Sequence, residues 1–279
     1  METEIPRDMT SAIDRHPLIT TPDTLMPEAI ALMSQIRYGC ILIVAAREGA
    51  KFPLGILTEQ DVVHLIAAQT DLSDLPISSV MNRQLITVRE EQAEDIMVLT
   101  HLLRKYKNRH FPVVSDRGNL IGLVTPQSIR NILKPVDLFR LKQVQEAISE
   151  SVIHAAIETS LQEVIQLMSQ QSSNCVVITH SQRTRENRFA ESRVERNRIE
   201  ENRVAENRIV KSEIAGNNPL IPVGIITEWD ILQFYRRGLD LAKTTAGVVM
   251  STPLMLVQLN DSMWTAHQIM QRQIGRAHV

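Results

Sequence analysis

A threonine followed three residues later by an aspartate occurs twice within one repeated pattern. PLGILTEQDVV contains Thr58 and Asp61, and PVGIITEWDIL contains Thr227 and Asp230. Such a pair can cap a helix, because the hydroxyl and the acid satisfy backbone amides at its start. It can also bind a ligand. A helix N-terminus attracts phosphate, the hydroxyl can donate to a phosphate oxygen, and the carboxylate can accept both hydroxyls of a ribose. The pattern predicts a cap, a site for a phosphorylated ribose, or both.

A third corner of the same kind lacks the acid. Thr125 is followed by a proline at the first helical position and by Ser128 where the other corners have aspartate. The helix can therefore start without the acid, so we expect Asp61 and Asp230 to serve a ligand. Hydrogen bonds to charged groups contribute about 1.5–3 kcal/mol, so ribose binding at Ser128 should be roughly ten- to a hundredfold weaker. Within the first module, which contains the corners at Asp61 and Ser128, we expect one competent site, centred on Asp61.

These corners belong to an internal repeat. Gly55 and Gly224 lie 169 residues apart, whereas Gly55 and Gly122 lie 67 apart. The segments ALMSQIRYGCILIV and QLMSQQSSNCVVIT match at an offset of 135, so the later half carries 34 extra residues before Gly224. A unit of about 60 residues therefore occurs four times. The fourth copy is incomplete, because the counterpart of Gly122 would fall beyond residue 279.

Each unit reads as strand, helix, strand, strand, helix. Continuous apolar runs such as CILIVA predict strands covered on both faces. In the second unit, apolar residues from Ala93 to Leu103 predict one amphipathic first helix. The expected bounds are 10–80 and 81–135 for the first two units, 136–147 for a linker, 148–249 for the third unit with an insert at 181–217, and 250–279 for the truncated fourth.

The composition excludes several classes of function. A net charge of -2 lacks the basic excess of nucleic-acid or anionic-membrane binders. No apolar run reaches 18 residues, and the first residues do not form a secretory signal, so we expect a cytoplasmic protein. Cys40 and Cys175 lie in apolar runs and are expected to be buried, reduced thiols. The histidines lack ligand spacing, and no nucleophile is paired with a base, so neither a metal site nor an enzyme is predicted.

The repeated unit, with its G-h-h-T-x-x-D corner (h is aliphatic), resembles the CBS domain, named from cystathionine beta-synthase. Two units in tandem resemble a Bateman module, and RHFPVV at 109–114 resembles the second strand of that family. The resemblance implies an α/β (α+β) fold. Its β-α-β-β-α units would pair sheet to sheet with pseudo-two-fold symmetry, leaving clefts that bind adenine nucleotides.

The resemblance also implies which residues would bind the ligand. In that family the corner Thr and Asp contact phosphate and ribose, and the first-strand LIT region lies beside the base. By position, the nucleotide-binding residues are Thr20, Thr58, Asp61, Thr87, Thr125, Thr227 and Asp230. The ligand would be AMP, ADP, ATP or S-adenosylmethionine, all adenosine-containing small molecules. The third unit has HAAIET where the first has LITT, so its base contact is altered.

Two functions remain open from the sequence. The first is a regulatory module that senses adenine nucleotide, forms a homodimer through its CBS units and acts on a fused or associated effector. The alternative is a structural or dimerisation module without a ligand, which Ser128 and the altered third unit favour.

The insert has an unusual five-residue period. Apolar residues from Phe189 to Ile214 recur every five positions. In a helix they would spiral around the axis, and in a strand they would alternate between the two faces. Neither element would therefore have an apolar face. We expect a solvated, disordered or weakly helical loop. An RNA-binding arginine tract is the alternative, but neighbouring glutamates nearly balance the arginines.

Overall fold

The computed structural model divides into two compact units. One comprises Met1–Ala147 and Val257–Val279, and the other comprises Ile148–Leu256. The described residues are 12–35, 39–106, 110–125, 128, 142–148, 152–181 and 220–274. Apart from Ser181, which ends a strand, the insert expected at 181–217 lies outside the described residues.

The first repeat forms a three-stranded sheet. Its elements are β1 (Ile19–Thr20), α1 (Met26–Gln35), β2 (Cys40–Arg47), β3 (Ala50–Thr58) and α2 (Glu59–Ala67). The central strand β2 is parallel to β1 and antiparallel to β3. The order predicted from the sequence is therefore confirmed. The first five residues of β2 are buried, as expected for a strand covered on both faces.

The second repeat forms a sheet with the same pairing. Its elements are β4 (Val88–Arg89), α3 (Glu90–Ala93), α4 (Ile96–Lys105), β5 (Phe111–Val114) and β6 (Leu120–Val124). The single helix predicted from Ala93 to Leu103 is wrong, because Asp95 begins a new helix. Its carboxylate accepts the backbone N–H of Met97 at 2.8 Å, which makes it an N-cap. The helix expected after β6 lies outside the described residues.

Every sheet contains an irregularity beside the repeated glycine. In the first sheet Gly55 pairs with Ile43 and Pro53 pairs with Val44, so Leu54 is an extra residue. The second and third sheets shift their register at the equivalent place. A bulge tolerates a proline that a regular ladder would exclude, because the ladder hydrogen bonds are already interrupted there.

Two short crossing segments tie the first two sheets together. The first crossing segment is residues 12–14, and its Asp14 exchanges two backbone hydrogen bonds of 2.9 Å with Leu123 in β6. The second is residues 81–82, and its Asn82 exchanges bonds of 3.0 and 2.9 Å with Ile56 in β3. Each segment precedes one sheet in the chain but pairs with the other sheet. This reciprocal exchange gives the pair its pseudo-two-fold symmetry.

An apolar core lies between the same two sheets. Its buried members are Cys40, Leu42, Ile56 and Leu123, and the partly buried Ile19, Leu85 and Leu120 pack against it. Both sheets contribute to this cluster, so the pair forms one folded body.

The second compact unit contains a third sheet with identical pairing. Its elements are β7 (His154–Ala156), α5 (Leu161–Gln171), β8 (Cys175–Ser181), β9 (Leu220–Thr227) and α6 (Glu228–Arg236). Ser251 exchanges backbone bonds of 3.1 and 2.9 Å with Ile225, as Asn82 does with Ile56. The topology agrees with the predicted third repeat.

The chain after α6 contains two further described helices. They are α7 (Ala246–Val249) and α8 (Met263–Ile274). An offset of 169 residues carries the end of α4 at Lys105 to Ile274, the end of α8. Among the described residues 250–274 there is no strand. The assignment of this segment as a truncated fourth unit, like the assignment of the third repeat to the CBS family and the unit boundaries, stays a prediction.

Candidate functional site

The corner between β3 and α2 carries the first candidate pair. The Thr58 backbone N–H and side-chain hydroxyl both donate to Oδ2 of Asp61, at 2.8 and 2.7 Å. The Asp61 N–H in turn donates to Thr58 Oγ1 at 3.2 Å. Both side chains are half-buried. The capping box predicted for this corner is therefore present. It occupies one carboxylate oxygen, while Oδ1 of Asp61 accepts no hydrogen bond from the described residues.

The start of α2 offers fewer backbone donors than a free helix end. The Glu59 N–H donates to the Gly39 carbonyl at 3.1 Å, and the Asp61 N–H is bound to Thr58 as above. The N–H of Gln60 lies between them and has no hydrogen-bond partner among the described residues. A phosphate at this corner would therefore meet one available amide, together with the positive end of the helix dipole.

The corner between β9 and α6 repeats this geometry. The Thr227 N–H and hydroxyl donate to Asp230 Oδ2 at 2.8 and 2.7 Å, and the Asp230 N–H donates to Thr227 Oγ1 at 3.4 Å. The Glu228 N–H donates to the Asn174 carbonyl at 3.0 Å, as Glu59 does to Gly39. The two corners predicted to correspond are therefore built alike.

The corner after β6 shows how serine replaces the acid. Ser128 Oγ accepts the Thr125 N–H at 2.9 Å and donates to the Thr125 carbonyl at 2.9 Å. The Ser128 N–H donates to Thr125 Oγ1 at 3.1 Å. The cap survives without aspartate, as the sequence predicts. The Ser128 hydroxyl already donates its proton to the Thr125 carbonyl, and serine has no second side-chain oxygen for a ligand.

The repeated glycine allows the second crossing segment to approach the corner. A Cβ on Gly55 would lie 2.5 Å from Met81 Sδ and 3.1 Å from the Asn82 carbonyl oxygen. At Gly122 the equivalent neighbours are the Asp14 carbonyl oxygen and the Ile13 side chain. The glycine is thus required for close packing within the strand, and the sharp turn falls at Thr58.

The first-strand threonines are not equivalent. In the first sheet Thr20 pairs with Ile43, the partner of Gly55. In the second sheet Val88 holds that position, pairing with the partner of Gly122. Thr87 lies one residue earlier, just before β4, so it does not occupy the position of Thr20. The repeated LIT sequence assigns Thr87 to the position of Thr20. The pairing of β4 with β5 sets the register and puts Val88 at that position instead. Thr20 Oγ1 is 2.6 Å from Thr24 Oγ1.

His110 is a candidate that the sequence reasoning did not select. A Cβ on Gly39 would lie 3.5 Å from His110 Nε2, and the Gly39 carbonyl binds the first amide of α2. The imidazole, which precedes β5, is therefore near the first corner although it belongs to the second repeat. The RHFPVV segment predicts the strand, but only the packing of the first two sheets brings its histidine near the first corner.

The cysteines lie directly across the strands from the corner threonines. Cys40 pairs with Thr58 and Cys175 with Thr227. Cys40 is buried, and burial raises the pKa of its thiol, with a smaller contribution from the charge of Glu59. Burial also raises the pKa of Cys175, helped by Glu228, although this thiol is only half-buried. Both are therefore protonated at neutral pH.

Two other kinds of functional feature are absent from the described part of the chain. None of its helices is long and apolar enough to cross a membrane. Its histidine, cysteine, aspartate and glutamate side chains form no group that could hold a metal ion.

Three-stranded α/β units, paired through their sheets and capped at equivalent corners, define a tandem-repeat protein. The profile of the CBS domain matches residues 7–68 and 77–135. The CBS domain-containing protein YhcV of Bacillus subtilis is 30% identical over 105 residues, which cover 37% of this chain and 69% of YhcV. The chain therefore belongs to the CBS-domain family.

Other relatives extend the comparison. Uncharacterized protein MK0525 of Methanopyrus kandleri is 30% identical over 43% of this chain and 60% of its own length. Inosine-5'-monophosphate dehydrogenase of Aquifex aeolicus is 30% identical over 48% of this chain but only 25% of the enzyme. Protein MJ1225 of Methanocaldococcus jannaschii shares the fold with a TM-score of 0.69 and 17% identity, covering 95% of this chain and 88% of that protein. The predicted fold class is confirmed.

Proposed function

We propose that this chain is a regulatory module that binds an adenosine-containing nucleotide at the corner of its first repeat. The observation that carries the proposal is the unused Oδ1 of Asp61. Asp61 and the available N–H of Gln60 both lie in the first turn of α2. Membership of the CBS-domain family supports an adenine nucleotide as the ligand, with AMP, ADP, ATP and S-adenosylmethionine as candidates.

The proposed contacts follow from the atoms that remain available. The phosphate would accept the Gln60 N–H and compete with Asp61 for the Thr58 hydroxyl. The ribose hydroxyls would donate to Asp61, where a charged acceptor strengthens each bond. Thr20 would lie on the base side, and His110 of the second repeat would lie near the ligand.

The remaining predicted residues are not equally suited to bind a nucleotide. Thr227 and Asp230 offer the same atoms as the first corner, so they form a proposed second site. Thr125 has a serine partner whose hydroxyl is used in the cap, and Thr87 is displaced in register from Thr20. We therefore propose weaker binding at the second corner.

Isothermal titration calorimetry of the full chain with each of the four ligands tests this function. Asp61→Ala should abolish or strongly weaken binding of the ligand that is recognised. The matched variant Asp230→Ala removes the same group from the third repeat, and it should leave binding at the first corner unchanged while removing only binding at the proposed second site. Absence of binding by all four ligands, or equal binding by the Asp61→Ala variant, would refute the proposal.

A structural module without ligand is the second candidate. The feature that favours it is the self-sufficient cap: the Thr58 hydroxyl and Asp61 satisfy each other in the absence of any ligand. This candidate predicts self-association that nucleotide does not change. Sedimentation velocity with and without nucleotide distinguishes it from the regulatory module, whose association or shape should respond to ligand. An effector fused to the chain or associated with it would read that response.

A further inference from the structure

The two side-chain oxygens of Asp61 differ in their hydrogen bonding. Oδ2 accepts two bonds, one from the backbone N–H of Thr58 at 2.8 Å and one from the Thr58 hydroxyl at 2.7 Å. Oδ1 accepts none from the described residues. A carboxylate oxygen offers about two lone pairs to donors. Both lone pairs of Oδ2 are therefore used, and only Oδ1 can accept a further donor.

The Thr58 hydroxyl has two separate roles at this corner. Its oxygen accepts the Asp61 N–H at 3.2 Å, which caps α2, while its proton is donated to Oδ2 of Asp61. A hydroxyl proton can rotate about the C–O bond without moving the oxygen. If a phosphate accepted this proton, the oxygen would keep the helix cap and Oδ2 would lose one of its two donors.

The release of Oδ2 matters for a ribose, because the two neighbouring ribose hydroxyls match the two oxygens of one carboxylate. Such paired bonds run parallel, with one donor on each oxygen, and bonds to a charged acceptor are stronger than those between neutral groups. In the structure this arrangement is blocked at Oδ2. It becomes available once the Thr58 hydroxyl turns to another acceptor.

We propose that the Thr58 hydroxyl couples recognition of the phosphate to recognition of the ribose at the first corner. A phosphate takes the hydroxyl proton, and Asp61 then accepts one ribose hydroxyl on each oxygen. The corner is therefore selective for nucleoside 5′-phosphates over nucleosides that lack a phosphate, which favours AMP, ADP and ATP over S-adenosylmethionine. This inference rests on the proposed function, because it requires an adenosine-containing ligand at this corner.

The other two corners show which residues the coupling requires. At Asp230, Oδ2 accepts the N–H and the hydroxyl of Thr227 at 2.8 and 2.7 Å, so the same arrangement recurs in the third repeat. Ser128 has a single side-chain oxygen, and its proton is donated to the Thr125 carbonyl at 2.9 Å. The coupling needs both a hydroxyl and a carboxylate, and the second corner lacks the carboxylate.

A cycle of four ligands measures the coupling by isothermal titration calorimetry of the full chain. The ligands are AMP, 2′,3′-dideoxy-AMP, adenosine and 2′,3′-dideoxyadenosine. Asp230→Ala is present throughout, so that only the first corner pairs a threonine with an aspartate. Removal of the ribose hydroxyls should weaken AMP binding about tenfold more than it weakens adenosine binding, since one additional bond to a charged group is lost.

Thr58→Val removes the hydroxyl but keeps the β-branched shape that suits the extended backbone of this residue. It leaves a lone pair on Oδ2 free with either ligand, so the difference between AMP and adenosine should disappear. AMP should bind more weakly, whereas adenosine should bind at least as tightly as before. Thr58→Ser is the matched control, because it keeps the hydroxyl and should keep the difference.

Circular dichroism checks that each variant is folded. If Thr58→Val is unfolded, the four-ligand cycle in the Asp230→Ala chain still decides. Equal losses for AMP and adenosine in that chain, or an undiminished difference in folded Thr58→Val, would overturn the coupling while leaving nucleotide binding intact. Binding of S-adenosylmethionine without binding of AMP would also overturn it, whereas absence of binding by every ligand would refute the proposed function as well.

Discussion

Replacing Asp61 by serine separates ligand binding from helix capping. Ser128 shows that serine can accept the N-cap amide at this type of corner, at 2.9 Å. The Asp61→Ser variant should therefore keep its cap while losing the carboxylate that we assign to the ribose. Thermal denaturation should detect only the missing negative charge near the helix N-terminus, a loss of about 0.3–1 kcal/mol.

The expected effect on binding is larger. Hydrogen bonds to charged groups contribute about 1.5–3 kcal/mol, and each 1.4 kcal/mol corresponds to roughly tenfold in affinity. Asp61→Ser should therefore raise the nucleotide dissociation constant by about ten- to a hundredfold, as measured by isothermal titration calorimetry. The wild type and the variant should have the same far-ultraviolet circular dichroism spectrum.

The matched variant in the third repeat is Asp230→Ser, whose corner has the same hydrogen bonds. It should leave the tighter of any two binding events unchanged. The reasoning is refuted if Asp61→Ser binds as tightly as wild type. It is also refuted if the affinity loss is fully matched by a loss of folded protein, since the aspartate would then serve only as a cap.

Three further predictions concern stability and thiol chemistry. Gly122→Ala should lower the melting temperature more than Gly55→Ala, because the nearest atom to the new methyl group is the Asp14 backbone oxygen at Gly122 but the flexible Met81 side chain at Gly55, where the Asn82 carbonyl lies farther away at 3.1 Å; equal shifts would contradict this. Asp95→Ala should cost about 1 kcal/mol in chemical denaturation by removing the cap of α4, whereas an unchanged midpoint would show that α4 needs no cap. Since burial raises the pKa of Cys40 above its usual value of 9.0, its neutral thiol contributes stability that is present below pH 9 and is lost as the pH rises through the folded-state pKa. The free energy of unfolding should thus decline above pH 9 more steeply in wild type than in Cys40→Ala, and parallel pH profiles would contradict this.

The corners and repeats could be predicted from the sequence because they depend on local interactions. A cap joins groups three residues apart, so Thr58 and Asp61, or Thr125 and Ser128, indicate their own geometry without reference to the rest of the fold. The repeated glycine was located in the same way, and the strand and helix order of the first repeat followed from apolar runs. The break at Asp95 was missed because the apolar period continues across it.

Contacts between distant parts of the chain decided the rest. Pairing with β5 places Val88 at the position that the repeated sequence assigned to Thr87. The packing of the first two sheets brings His110 near a corner built by the first repeat. The crossing segments join residues such as Asp14 and Leu123, which are separated by most of two repeats. Sequence by itself determined the repeated units and their caps. Only the tertiary structure decided strand register, the reason for each glycine, and which sheet faces are covered, because those depend on non-local pairing that no short pattern encodes.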